Sequence, residues 1–246
     1  MGVNYRIKWF DTIDSTNSEA LRNLTIGSDM DVYAALFQSA GRGQRGNKWE
    51  SGSGMNLTFS ILFKPTHILA SEQFVISRIA SVGVVEYLGR RGVEAKIKWP
   101  NDIYVDDRKI CGMLIENSIL SDKVSASIAG IGVNINQRLF HSDAPNPTSL
   151  ILERGGEELN VKEELDLLVG IIYDLYQGTI NGTTDLKEEY HNILYRLEIR
   201  SRFFDVAEDA EFSGIIRGLD DVACLVVERE DGTIRHYAFK EVRFIV

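Results

Sequence analysis

The chain has 246 residues, 44% hydrophobic and 26% charged, with a formal net charge of −9. This is the composition of an ordinary folded protein of one or two domains, which excludes collagen-like and wholly disordered chains, and the acidic balance argues against a general nucleic-acid binder. The two cysteines and four scattered histidines make neither a disulfide framework nor a metal-ligand pattern, and no apolar run has signal-peptide or membrane-spanning length, so we expect free thiols, no dedicated metal site, no membrane contact and a cytoplasmic location.

Asp14-Ser15-Thr16-Asn17 precedes Glu19-Ala20-Leu21 and predicts a helix start, with Thr16 and Glu19 spaced as a capping box. Residues 32–38 read as a strand. The segment 41–54 carries five glycines together with Arg42, Arg45 and Lys48 against only Glu50, a cationic loop in an acidic protein. Residues 56–63 read as a second strand. An apolar stripe predicts a helix over 72–91, capped by Gly92. Residues 93–99 alternate and stop at Pro100; 103–105 and 108–116 flank Asp106-Asp107 as a hairpin. An apolar strand over 124–133 contains Gly130 and Gly132, and two helices follow, roughly 161–177 and 184–197.

The tail changes character near residue 199. Short alternating strands over 212–217, 222–229 and 233–239 are joined by residues 218–221 and by Asp231-Gly232, a hairpin signal. We therefore expect an α/β (α+β) chain: residues 1–198 as a catalytic domain with a mixed sheet and flanking helices, and residues 199–246 as a small C-terminal SH3-like β-barrel.

Gly41-Arg42-Gly43-Gln44-Arg45-Gly46 fits the dinucleotide pattern GxGxxG, but NKWESGSGMN follows instead of a helix, and a P-loop GK[ST] is absent. What remains is a glycine loop whose backbone N–H groups and guanidinium forks suit a carboxylate or phosphate. Read singly, the other motifs have plain structural explanations: helix capping for Ser15, Thr16 and Asn17, a solvated strand face for Lys96 and Lys98, a charged turn for Arg108 and Lys109, and a strand bulge at Gly130 and Gly132.

In order, however, DSTN, QSAGRGQRGNKW, KWPNDIYVDDRKICG and GIGVN resemble the biotin protein ligases, densely from Asp14 to about Asn136 and more weakly into the C-terminal barrel. The resemblance implies a two-step acyl transfer: biotin and ATP, with Mg²⁺, give biotinyl-5′-AMP, and biotin then passes to a lysine of a biotin carboxyl carrier protein or carboxylase. It implies catalytic charges at Arg42, Lys109 and Lys98. Biotin contacts are implied at Ser15, Thr16, Asn17, Gln38, Gly41, Arg42, Gly43, Gln44, Lys109 and Gly112. ATP or adenylate contacts are implied at Arg45, Lys48, Trp49, Asn101, Asp102, Gly130, Gly132 and Asn134.

Many members carry arginine where this chain has Gln44, which leaves open whether Arg45 takes over that share of the clamp. Only about 13 residues precede DSTN, too few for the N-terminal helix-turn-helix of some relatives, so DNA is not an expected partner. Relatives occur as monomers and dimers, which keeps a homodimer open. Two other readings of the same motifs are a lipoate- or octanoate-transferring enzyme on the related fold and a biotin sensor without turnover.

Overall fold

The computed structural model describes residues 5–43, 49–65, 67–141 and 146–245. The strands β1 (Arg6–Ile13), β2 (Asp31–Gln38), β3 (Leu57–Phe63), β4 (Lys96–Lys98), β5 (Asp102–Val105), β6 (Arg108–Leu120) and β7 (Lys123–Val133) form one mixed sheet. Its order is β1–β2–β3–β7–β6–β5–β4. β1 runs parallel to β2 and every other pair is antiparallel.

β3, LTFSILF, is buried at every position, as a continuous apolar run demands when both faces are covered. Leu57, Phe59, Ile61 and Phe63 enter the large core with α2 (Phe74–Arg90) and α4 (Val161–Ile180). Leu62 packs on the other face with Ala20 of α1 (Thr16–Arg22). Period two therefore puts Thr58 and Ser60 on the α1 face as well. The two long helices are clamped by a buried carboxylate. Glu164 accepts from the Tyr87 hydroxyl at 2.6 Å and from both Nε and NH2 of Arg91 at 2.7 Å, so its charge is fully compensated.

The C-terminal strands β8 (Arg200–Asp205), β9 (Ala210–Leu219), β10 (Leu225–Arg229), β11 (Ile234–Tyr237) and β12 (Val242–Phe244) form a second, antiparallel sheet, ordered β11–β10–β9–β8–β12. Phe203, Ile216, Leu225 and Val227 belong to the same buried cluster as the main sheet. The buried Trp99 indole donates to the Ala223 carbonyl at 3.0 Å, and Arg196 joins Asp107 at 3.1 Å and the Ile245 carbonyl at 3.1 Å.

Several expectations shift. Ser15, not Thr16, is the N-cap of α1, and the predicted capping box is not made because Glu19 turns to Arg22, Asn23 and Lys8. The helix expected over 184–197 is only α5 (Lys187–Asn192). Beyond it the chain is drawn onto the edge of β4, where Ile97 N donates to Ile193 O and Tyr195 N to Ile97 O, each at 2.8 Å. The strand expected from 222 starts at Leu225, because the Asp220 carboxylate accepts from Val222 N and Cys224 N and folds those residues into a turn. The sequence reading passed over β1, β8, β12 and the short α3 (Leu150–Arg154).

Candidate active site

A cavity of about 720 Å³ opens between the α1 face of the main sheet and the second sheet. Its polar end is built by α1, β2 and β3. Ser15 is 3% exposed, and as N-cap it makes no side-chain capping bond. Gln38 Oε1 accepts from Thr16 N at 2.8 Å and from Thr16 Oγ1 at 3.2 Å. The backbone N–H can only donate, so the Gln38 carbonyl must face it and the Nε2 is left over. Ser60 Oγ lies 2.8 Å from Thr16 Oγ1 and 2.6 Å from Asn17 Oδ1. Gly130 sits beside this network with no room for a side chain: a Cβ there would stand 1.9 Å from Asn17 Oδ1.

The next stretch of wall is a glycine pair. Gly112 of β6 faces Gly132 of β7 in register, and the Trp49 indole lies against both. A Cβ on Gly132 would come within 2.3 Å of the indole, and one on Gly112 within 3.0 Å. Trp49 Nε1 is buried without a hydrogen-bond partner among the described residues, as is Asn134 Oδ1. The Asn134 Nδ2 donates to Thr148 O at 2.8 Å, and that of Asn101 donates to Met113 O.

Cationic groups gather beyond the glycines. Lys109 Nζ meets Asp102 Oδ1 at 2.8 Å. Lys98 Nζ donates to the Tyr104 hydroxyl at 3.0 Å, lies 4.4 Å from that ring's centroid and 5.3 Å from that of Phe244 in β12. Burial pushes the Lys98 ammonium down to about 8, partly countered by Asp102. A third cation, Arg42, lies at the polar end instead, its NH2 meeting Glu116 Oε2 at 3.1 Å, the oxygen that Asn17 Nδ2 also reaches. Such a wall can hold an anionic substrate and neutralise charge gathering on it. Among the described residues no three acidic, His or Cys side chains converge on a metal position.

Residues 9–134 match the biotin/lipoate A/B protein ligase family. The chain is 30% identical over 238 residues to the bifunctional ligase/repressor BirA of Salmonella typhimurium, covering 94% of this chain and 71% of that one. It is 30% identical to the biotin–[acetyl-CoA-carboxylase] ligase of Paracoccus denitrificans, covering 89% and 92%. The biotin protein ligase of Aquifex aeolicus, solved in complex with biotin and ATP, superposes with a TM-score of 0.77 at 25% identity, over 97% of this chain and 99% of that one. The chain belongs to the biotin/lipoate A/B protein ligase family.

Of the ligase residues expected from sequence, the cavity brings together Ser15, Thr16, Asn17, Gln38, Arg42, Gly43, Trp49, Lys98, Asn101, Asp102, Lys109, Gly112, Gly130, Gly132 and Asn134. Gly41 is not in the wall; it supports Trp49 from behind, its carbonyl accepting from Trp49 N at 3.2 Å. Gln44, Arg45 and Lys48 lie outside the described residues. Sequence reasoning missed Ser60 and Glu116, which tie the polar end together, and Phe239, Lys240, Arg243 and Phe244, through which the second sheet reaches the cavity. Ser60 carried a signal, since it and Thr58 are the two hydroxyls on one face of the otherwise apolar β3. The second-sheet residues carried none, because their approach depends on how the two sheets pack.

Proposed function

We propose that this chain is an ATP-dependent biotin protein ligase. The observation that carries the reading is that one cavity is lined both by an uncharged hydrogen-bonding cluster, Ser15, Thr16, Asn17 and Gln38, and by Lys98, Lys109 and Arg42. Biotin has the matching halves, a neutral ureido ring with donor and acceptor edges and a carboxylate. In the first step a biotin carboxylate oxygen attacks the α-phosphorus of ATP. The new bond is a mixed anhydride, the bond between the α- and β-phosphates breaks, and pyrophosphate leaves. Two anions must meet, so the barrier is set by how much positive charge is already in place. In the second step the amine of an acceptor lysine attacks the anhydride carbonyl, an amide forms and AMP leaves.

Mg²⁺ fits as an ion carried by the triphosphate, which needs few protein ligands. Asp102 and Glu50 are the acidic side chains in the cavity wall, and an ion beside them would offset phosphate charge. The acceptor is a biotin carboxyl carrier protein or carboxylase domain, and the unpaired thiols of Cys111 and Cys224 support a cytoplasmic location.

The test is pyrophosphate release by the full chain with Mg-ATP and biotin, run beside octanoate and lipoate, followed by mass analysis of an added carrier domain. Release with biotin and a biotinyl mass shift on one lysine are expected. Turnover with octanoate or lipoate but not biotin would move the chain to the other branch of the family, and biotin binding without pyrophosphate release would make it a sensor.

A further inference from the structure

We propose that Glu116 is a positioning residue that makes the polar end of the cavity selective for an acid whose far end carries N–H donors. This rests on the function proposed above and adds a residue to it. Glu116 lies on β6 two positions beyond Leu114, and the two groups meet the same amide. Asn17 Nδ2 donates to the Leu114 carbonyl at 3.2 Å and to Glu116 Oε2 at 2.8 Å. Both partners are acceptors only, so the nitrogen must face them and both of its hydrogens are spent. Asn17 Oδ1 then has one fixed outlook. It accepts from Ser60 at 2.6 Å and keeps a second lone pair, in a side chain that lines the cavity. A ligand N–H finds an acceptor there, whereas a saturated acyl chain or a dithiolane ring finds a polar atom it cannot satisfy.

Glu116 Oε2 also receives Arg42 NH2 at 3.1 Å. The pair is about two-fifths exposed on each side, so its effect is on place more than on stability. It holds the guanidinium of the glycine loop against the same oxygen that orients Asn17. The chain Ser60–Asn17–Glu116–Arg42 therefore couples the polar end to the first described residues of the loop. Without Glu116, one Asn17 N–H loses its acceptor and the amide is free to turn. A turned amide would present N–H to a ligand N–H.

The experiment compares wild type, Glu116→Ala and Glu116→Gln as full chains. Calorimetric titration gives the biotin Kd, pyrophosphate release gives kcat and the KM for each substrate, and octanoic acid serves as the N–H-free comparison ligand. For Glu116→Ala the biotin Kd and KM should rise about 10- to 100-fold, the scale of an unsatisfied polar group in a site. The KM for ATP should stay within about twofold, kcat at saturating biotin should fall by less than the biotin Kd rises even though Arg42 loses its anchor, and any octanoic acid affinity should hardly move. Glu116→Gln should recover much of the loss, since its amide oxygen can still accept from Asn17. A biotin Kd unchanged in Glu116→Ala, a fall confined to kcat, or a Gln variant no better than Ala would each overturn the assignment. The Gln variant, isosteric with Glu, guards against misfolding as the cause. A wild-type chain that neither binds biotin nor releases pyrophosphate would instead overturn the proposed function, and this assignment with it.

Discussion

Lys109 enters the cavity already paired, and removing it does two things. It takes away a charge suited to the region between carboxylate and phosphate, and it leaves Asp102, 2.8 Å away, facing two anions alone. Lys109→Ala should lower adenylation on the order of 10²-fold or more, with a smaller loss in transfer from preformed adenylate. Adding Asp102→Asn to Lys109→Ala should recover part of the rate if the stranded carboxylate matters; pyrophosphate release by the single and double variants measures it. Lys98 contributes a pH signature. Its ammonium is held near 8 by burial, with Asp102 and Asp107 opposing and Lys109 and Arg196 adding to the depression. The charge is therefore present below pH 8 and lost above it. Wild-type pyrophosphate release should fall through pH 8–9, whereas Lys98→Arg, which stays protonated, should hold its level. The same alkaline fall in both would remove Lys98 from the charge set.

At the level of elements, two glycines make opposite predictions. Gly130 on β7 has Asn17 Oδ1 where a Cβ would go, 1.9 Å away, and that oxygen is buried and bonded, so it cannot simply swing aside. Gly130→Ala should weaken biotin binding at least about tenfold and lower the unfolding midpoint. Gly89, inside α2, has nothing within 4 Å of a Cβ. Gly89→Ala should raise stability by about 0.4–1 kcal/mol with unchanged biotin affinity, so thermal unfolding and calorimetry on the two variants separate packing from binding. The elements themselves were legible where one physical rule governed them. The apolar run of β3, the stripe of α2 and the Asp231-Gly232 turn follow from burial and backbone preference alone. The end of α5 was not legible, because hydrogen bonding to the distant Ile97 decides it. Nor was the cap of α1, which falls on Ser15 rather than Thr16 and forms without a side-chain bond.

For the molecule as a whole, the second sheet shares a core with the first and helps wall the cavity, and Trp99 is a direct tie between them. Trp99→Phe removes the indole donor to the Ala223 carbonyl, which is 3.0 Å away. The expected cost is about 1 kcal/mol, or roughly 2–4 °C in unfolding midpoint for a chain of this size, read by calorimetry as one transition shifted down. A new, separate low-temperature transition would mean that the two sheets unfold independently. The motif order in the sequence picked out residues that the structure gathers around one cavity but could not show Phe239 or Phe244 closing on them. Closure is a property of sheet packing, and no local pattern in the tail encodes which face turns inward.

The packing of Trp49 has an optical consequence. The chain has three tryptophans, and they sit in distinct surroundings. Trp9 is on the edge strand β1 beneath Lys162, and Trp99 is tethered through its ring nitrogen. Trp49 alone rests on bare glycine backbone in the cavity wall with its ring nitrogen unbonded among the described residues. Trp99 also lines the cavity, but its ring nitrogen is already bonded, so Trp49 should supply most of the change in emission when the cavity fills, shifting in wavelength as the indole gains a neighbour or a hydrogen bond. A fluorescence titration needs no label, and Trp49→Phe should remove most of the change while Trp9→Phe keeps it.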